Sequence, residues 1–180
     1  MWPIRSFDGM SPVLGERVYV DPQACVIGRV TLGDDVSIWP MAVLRGDMEA
    51  ITLADRVNVQ DGAVLHVSHN GPHAPGGRAL WIGSDTTISH RAMVHGCTIG
   101  QRCLIGMGSI IMDGVTIGDE VVVGAGAVVP PGKHLPSRTV WMGTPAREVR
   151  LATADEIRLN LYLATHYVSV KDRYLKAVLA

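Results

Sequence analysis

Three histidines carry the chemistry to weigh first: His66, His90 and His95. Neutral imidazole is a preferred ligand for zinc and its neighbours. Three imidazoles with an open fourth position form the ligand set of a hydrolytic or hydrating centre. A metal held in that way lowers the pKa of its water to about 7, so hydroxide is available near neutrality. The same donors suit Fe2+ and Co2+ as well as Zn2+. A lone histidine is more often a packing group, so the case depends on whether the fold brings these three together.

The elements that must position them follow from an internal repeat. One aliphatic residue recurs every six positions: Leu14, Val20, Val26, Leu32, Ile38 and Leu44. After interruptions the series resumes at Leu53, Val59 and Leu65, then at Ile82, Ile88 and Val94, then from Ile99 through Ile105, Ile111, Ile117 and Val123 to Val129. A small or β-branched residue stands two positions earlier, as at Ala42, Ala63, Ala92 and Cys103. Glycine often follows the aliphatic, as at Gly33, Gly83 and Gly100, and is expected to supply backbone freedom at corners. A period of six is not helical. It fits short strands joined by tight corners, three to a triangular coil, with the aliphatic and the small residue both facing inward. The predicted fold is mainly β, a single-stranded parallel β-helix of about six coils. The composition agrees. Glycine numbers 20, phenylalanine 1 and aromatics only 5%, which suits a narrow interior.

Departures from the repeat mark extra chain. Residues 46–50 form a small bulge, and residues 67–79 a loop rich in Gly, Pro and His. Pro130, Pro131, Pro136 and Pro145 punctuate a connector. Thr153 and Glu156 read as a capping box, and Ile157, Leu161, Ala164, Val168, Leu175 and Val178 approximate one helical face. The expected organisation is a β-helix with an N-terminal cap segment over 1–135, a connector over 136–152, and a helix over 153–179 packed alongside.

The register converts sequence into geometry. With the sides of the triangle called A, B and C, Leu44, Leu65, Val94 and Ile111 fall on side A. His66 follows Leu65 and His95 follows Val94, so they stack at one corner, about 4.8 Å apart. Arg45 lies one coil below. Asp61 and His90 stack at a different corner, one side of the triangle away. That is too far for one metal within one subunit. Side-by-side packing with threefold symmetry brings His90 of one subunit to His66 and His95 of its neighbour. The expected assembly is a homotrimer with a metal at each interface.

Other features narrow the function. The net charge of −1 favours neither nucleic acid nor an anionic membrane. No apolar run is long enough to span a bilayer, and the first residues lack a secretory pattern. Three cysteines, an odd number, read as free thiols in a reducing cytoplasm. Cys97 and Cys103 occupy inward positions, and Cys25 a more exposed one. No phosphate-binding loop motif is present.

The residues Arg45-Gly46-Asp47, Gln60-Asp61, His66, and His90 with His95 in HRAMVHGCTIG resemble the γ-class carbonic anhydrase family, and the likeness extends to ATHYVSVKDRYL near the C-terminus. The resemblance implies a left-handed winding, against the usual crossover hand, and CO2 hydration to bicarbonate through metal-bound hydroxide. It implies that His66 and His95 of one subunit and His90 of the next hold the metal. It further implies that Gln60 orients the reacting oxygen, that Arg45 and Asp61 link neighbouring subunits, that Asp47 lies at the interface, and that Tyr167 reaches the site. The family's loop glutamate that shuttles protons is absent; His69 stands where it would lie, and Met48 with Glu49 follows Asp47. His69 or His73 then serves as the proton route. Metal-dependent hydrolysis of a thioester, acyl transfer on the same fold, and a catalytically weak metal-binding protein are the alternatives.

Overall fold

The computed structural model describes residues 3–178; residues 1–2, residue 179 of the expected helix and the side chain of Val178 lie outside the described residues. The repeat forms a parallel β-helix with three sides. Side C stacks Tyr19–Val20, Ser37–Ile38, Asn58–Val59, Thr87–Ile88, Leu104–Ile105, Val122–Val123 and Thr139–Met142. Side A stacks the first part of Val43–Leu53 under Val64–His66, Met93–His95, Ile110–Ile111 and Val128–Val129. Side B continues from the second part of Val43–Leu53 through Leu80–Ile82, Thr98–Ile99 and Thr116–Ile117 to His134–Leu135. The bulge at 46–50 lies inside the long bent strand Val43–Leu53, which turns from side A to side B; its pairing shifts from Gly28↔Gly46 to Val30↔Ile51.

The inward pattern holds along the solenoid. From Val26 to Val129 every repeat aliphatic is buried, and Ala42, Ala63, Ala92 and Cys103 are buried beside them. Leu14 is exposed and Val20 half-buried, because the first coil has no coil beneath it to close the end. The stack exceeds the six coils expected. Ile4 pairs below Val26, and Leu135 and Val140 continue above Ile117 and Val122. The segment 136–152, read as a connector, thus contains the strand Thr139–Met142 and the antiparallel strand Arg147–Leu151 that covers it.

The glycines after the aliphatic do a different job from the one expected. They are not in the left-handed region. They lie where coils approach too closely for a Cβ: one on Gly100 would stand 2.6 Å from Gly118 backbone. The left-handed turn falls two residues later. At the corner between sides B and C it is taken by Arg17, Asp35, Arg56, Asp85, Arg102, Glu120 and Arg138, with φ from 54° to 63°. Their charges alternate coil by coil, and the column is tied by Arg17–Asp35 at 2.7 Å, Arg56–Asp85 at 2.6 Å, Arg102–Glu120 at 2.9 Å and Arg138–Glu120 at 3.3 Å.

The helix Ala154–Val178 lies against side C. Its capping box forms: Glu156 N–H donates to Thr153 Oγ1 at 3.2 Å, and Thr153 N–H donates to Glu156 Oε2 at 2.9 Å. The docked face is less apolar than expected. Leu161 points outward, whereas Asn160 and Lys171 are 0% exposed. Asn160 donates to the Arg102 carbonyl at 3.0 Å, and Lys171 Nζ lies 2.8 Å from Asp35. No helix of the described residues is long and apolar enough to cross a membrane.

Candidate metal centre

His66 and His95 stack in register at the corner between sides A and B, as the repeat predicts. His66 Nδ1 and His95 Nε2 face each other at 3.0 Å. Each ring's other nitrogen meets a carboxylate: His66 Nε2 lies 3.0 Å from Asp47 Oδ1, and His95 Nδ1 lies 2.5 Å from Asp113 Oδ1. The tautomers follow from those partners. With both outer nitrogens donating to carboxylates, the two facing nitrogens are the ones left to offer lone pairs. At that separation the two nitrogens can share a proton in an N–H···N hydrogen bond or flank a cation. Two nitrogens on one tetrahedral zinc, each at about 2.0–2.1 Å, stand about 3.3 Å apart, close to the spacing observed. The residues therefore fit a metal.

The electrostatics favour the ligand form. Burial holds the His66 imidazole below its ordinary pKa, and Arg45 and His95 push the same way against Asp47. For Asp47 burial pushes the pKa up, but hydrogen bonds with Arg45 and His66 outweigh it and keep the carboxyl below the usual range. Asp113 behaves alike: burial is outweighed by the hydrogen bonds from Ser68, at 2.6 Å, and His95.

His90 occupies the other end of side A, at the corner with side C. Its Nδ1 lies 3.0 Å from Asp61 Oδ2. All three imidazoles thus have one nitrogen committed to an aspartate and one left over, the arrangement by which carboxylates orient metal-binding histidines. Among the described residues, no three His, Cys, Asp or Glu side chains converge on one metal-sized position within the single chain. A centre using His90 together with His66 and His95 needs a second copy.

Gln60 is buried and its amide is pinned. It accepts from the His90 backbone N–H at 3.2 Å and donates to Asn58 Oδ1 at 3.1 Å, leaving one amide hydrogen uncommitted. Tyr167 lines the same recess as Gln60, Ser89 and His90. It is held edge-on by Trp39, with ring centroids 5.4 Å apart, and burial followed by Asp61 raises its pKa. Arg45 pairs with Asp47 on its own strand and does not meet Asp61 within the chain. His69 is exposed on the 67–79 loop and shares a pocket of about 150 Å³ with His73, Ser68 and Asp113.

Sequence reasoning missed Asp113 and the direct part of Asp47. The register held the signal for the first: Ile111 pairs with Val94, so Asp113 comes level with the corner just beyond His95. The roles of Asn58 and Trp39 have no such marker.

Comparison with known proteins places the chain in a family. The bacterial transferase hexapeptide model (six repeats) matches residues 11–46 and 96–131. Protein YrdA of Escherichia coli is 48% identical over 172 residues, 96% of this chain and 94% of that protein. Gamma carbonic anhydrase 1 of Arabidopsis thaliana mitochondria is 38% identical over 164 residues, 91% of this chain but 59% of the plant protein. The chain belongs to the γ-carbonic-anhydrase-like hexapeptide-repeat family. The left-handed β-helix is that of the γ-carbonic-anhydrase-like proteins. A solved hexapeptide transferase family protein from Anaplasma phagocytophilum superposes with a TM-score of 0.86 at 31% identity, covering 95% of this chain and 97% of that one.

Proposed function

We propose that this γ-carbonic-anhydrase-like protein is a metalloenzyme that hydrates CO2 to bicarbonate at centres shared between the subunits of a homotrimer. The observation that carries the reading is the convergence of His66 Nδ1 and His95 Nε2 at 3.0 Å with a carboxylate behind each ring. His66 and His95 of one subunit and His90 of the next would hold Zn2+, with Fe2+ or Co2+ as substitutes. When bound, the metal supplies the acidity that makes water a nucleophile near neutral pH.

The protein's own groups do the rest. Asp47, Asp61 and Asp113 fix the three rings. Gln60 presents its uncommitted amide hydrogen to an oxygen of CO2 or bicarbonate, and Tyr167 closes that side of the recess. His69 accepts the leaving proton across the pocket it shares with Asp113 and passes it to solvent. Arg45 of one subunit and Asp61 of the next join at the interface. The trimer is supported by side A itself. Its outward row is Val43, Val64, Met93, Ile110 and Val128, apolar throughout, with Met93 40% exposed. The free cysteines suit the cytoplasm.

Stopped-flow CO2 hydration on the zinc- or iron-loaded protein tests the reading. Activity well above that of His90→Ala is expected; equal rates would remove the CO2 assignment. Acyl chemistry is the second reading, favoured by the apolar groove beside His90 and by the likeness to a hexapeptide transferase family protein.

A further inference from the structure

One cavity is larger than the proposed reaction requires. A groove of about 340 Å³ runs along side C beneath the C-terminal helix and opens at the His90 corner. A three-atom substrate is on the scale of one or two waters, at about 30 Å³ each, and would fill a small part of it. The groove is divided along the solenoid axis. At the level of the Asn58–Val59 and Thr87–Ile88 strands its lining is polar: Gln60, Thr87, Ser89 and His90. At the next two levels the lining is Leu104, Met107 and Val122, with Leu163 of the helix above them. Coils repeat at about 4.8 Å, so the apolar half extends about 10 Å.

The geometry points to a site for a straight-chain acyl group, with its carbonyl end at Gln60 and Ser89 and its tail between Leu104, Met107, Val122 and Leu163. The division of the lining matches such a molecule at both ends. An extended chain zigzags at tetrahedral angles and advances about 1.3 Å per carbon, so the apolar half holds a tail of about eight carbons. The Gln60 amide is already fixed by Asn58 and the His90 backbone, so it meets a carbonyl without rearrangement. Rigid apolar pockets with few convergent polar groups are the usual form of small-molecule sites. The inference rests on the reading of the His90 corner as the reacting end, and it names a substrate class larger than CO2 for that corner.

Calorimetric titration with straight-chain monocarboxylates from acetate to dodecanoate, on the full chain with and without zinc, tests it. Affinity should rise about three- to fourfold per added methylene until the tail reaches about eight carbons, then level off. Leu163→Trp, which fills the groove, should abolish the chain-length dependence, and Leu163→Ala should move the plateau to a longer chain. Leu159→Trp, on the exposed face of the same helix, should keep it. No dependence on chain length, or the same dependence in Leu163→Trp and Leu163→Ala as in the unaltered protein, would overturn the site. CO2 hydration is read on the same samples. Chain-length dependence without hydration would uphold the groove and remove the CO2 reading; hydration without chain-length dependence would do the reverse.

Discussion

An imidazole binds metal well when its tautomer is decided in advance, and each of the three candidate rings has one nitrogen set against an aspartate. Asp113 is the clearest case to test, because its contact with His95, at 2.5 Å, is backed by a hydrogen bond from Ser68. Asp113→Asn should leave the fold intact and lower metal affinity by about 10- to 100-fold, measured by competition with a chromophoric chelator. Unchanged affinity would mean that the contact does not prepare the ligand. At this scale the stacking of His66 on His95 was legible, since repeat arithmetic alone aligns residues 29 apart. Asp113 carries no distinguishing mark in the sequence, because corner aspartates are common in this chain and several of them, Asp34, Asp55 and Asp119, accept from backbone N–H groups of the neighbouring coil.

Among the elements, the solenoid was easy to read and the helix was harder. The aliphatic series fills the interior almost without exception. The helix was read by its apolar residues, yet it docks through Asn160 and Lys171 as well as Ala164. Long polar side chains look solvated in a sequence unless their partners are known. Lys171 has its partner in Asp35, a member of the alternating corner column. The Asp35 carboxyl is held down to about 2 by hydrogen bonding with Arg17, against burial, with Lys171 adding to Arg17. A carboxylate whose pKa is depressed by folding contributes stability that is full above its unfolded pKa, near 4, and is lost as pH falls through about 2. The shift corresponds to about 2 kcal/mol. Asp35→Asn should therefore lower the denaturation midpoint at pH 7 and flatten the loss of stability between pH 4 and pH 2, followed by urea unfolding. A variant with the parent's acid profile would contradict this account of helix docking. The corner glycines depart from expectation for a related reason: spacing shows where a glycine stands, and only the approach of the next coil shows that the missing Cβ matters.

For the whole molecule, the three sides have different outward faces. Side C is covered by the helix, and the outward row of side A, from Val43 to Val128, is apolar and ends in histidines at both of its corners. In the proposed trimer, burying side A against other copies would cover the apolar row and bring the three histidines together. Met93→Glu puts a charge in the middle of that row. It should convert the proposed trimer to monomers in sedimentation velocity and abolish tight metal binding, with β-structure retained by circular dichroism. A trimer that survives this change would point to a different interface. The number of coils was underestimated, because the terminal rungs around Ile4 and Val140 fall outside the regular spacing and are recognised only by their pairing.

In the proposed trimer one metal is held by two subunits. Subunit complementation tests it most directly. His66→Ala and His90→Ala are each expected to lose tight zinc binding as homotrimers. When the two are unfolded, mixed and refolded together, mixed trimers should regain zinc and CO2 hydration, because a His90→Ala subunit offers His66 and His95 to the intact His90 of a His66→Ala neighbour. Recovery of neither in the mixture, with mixed trimers verified by mass, would contradict the shared site.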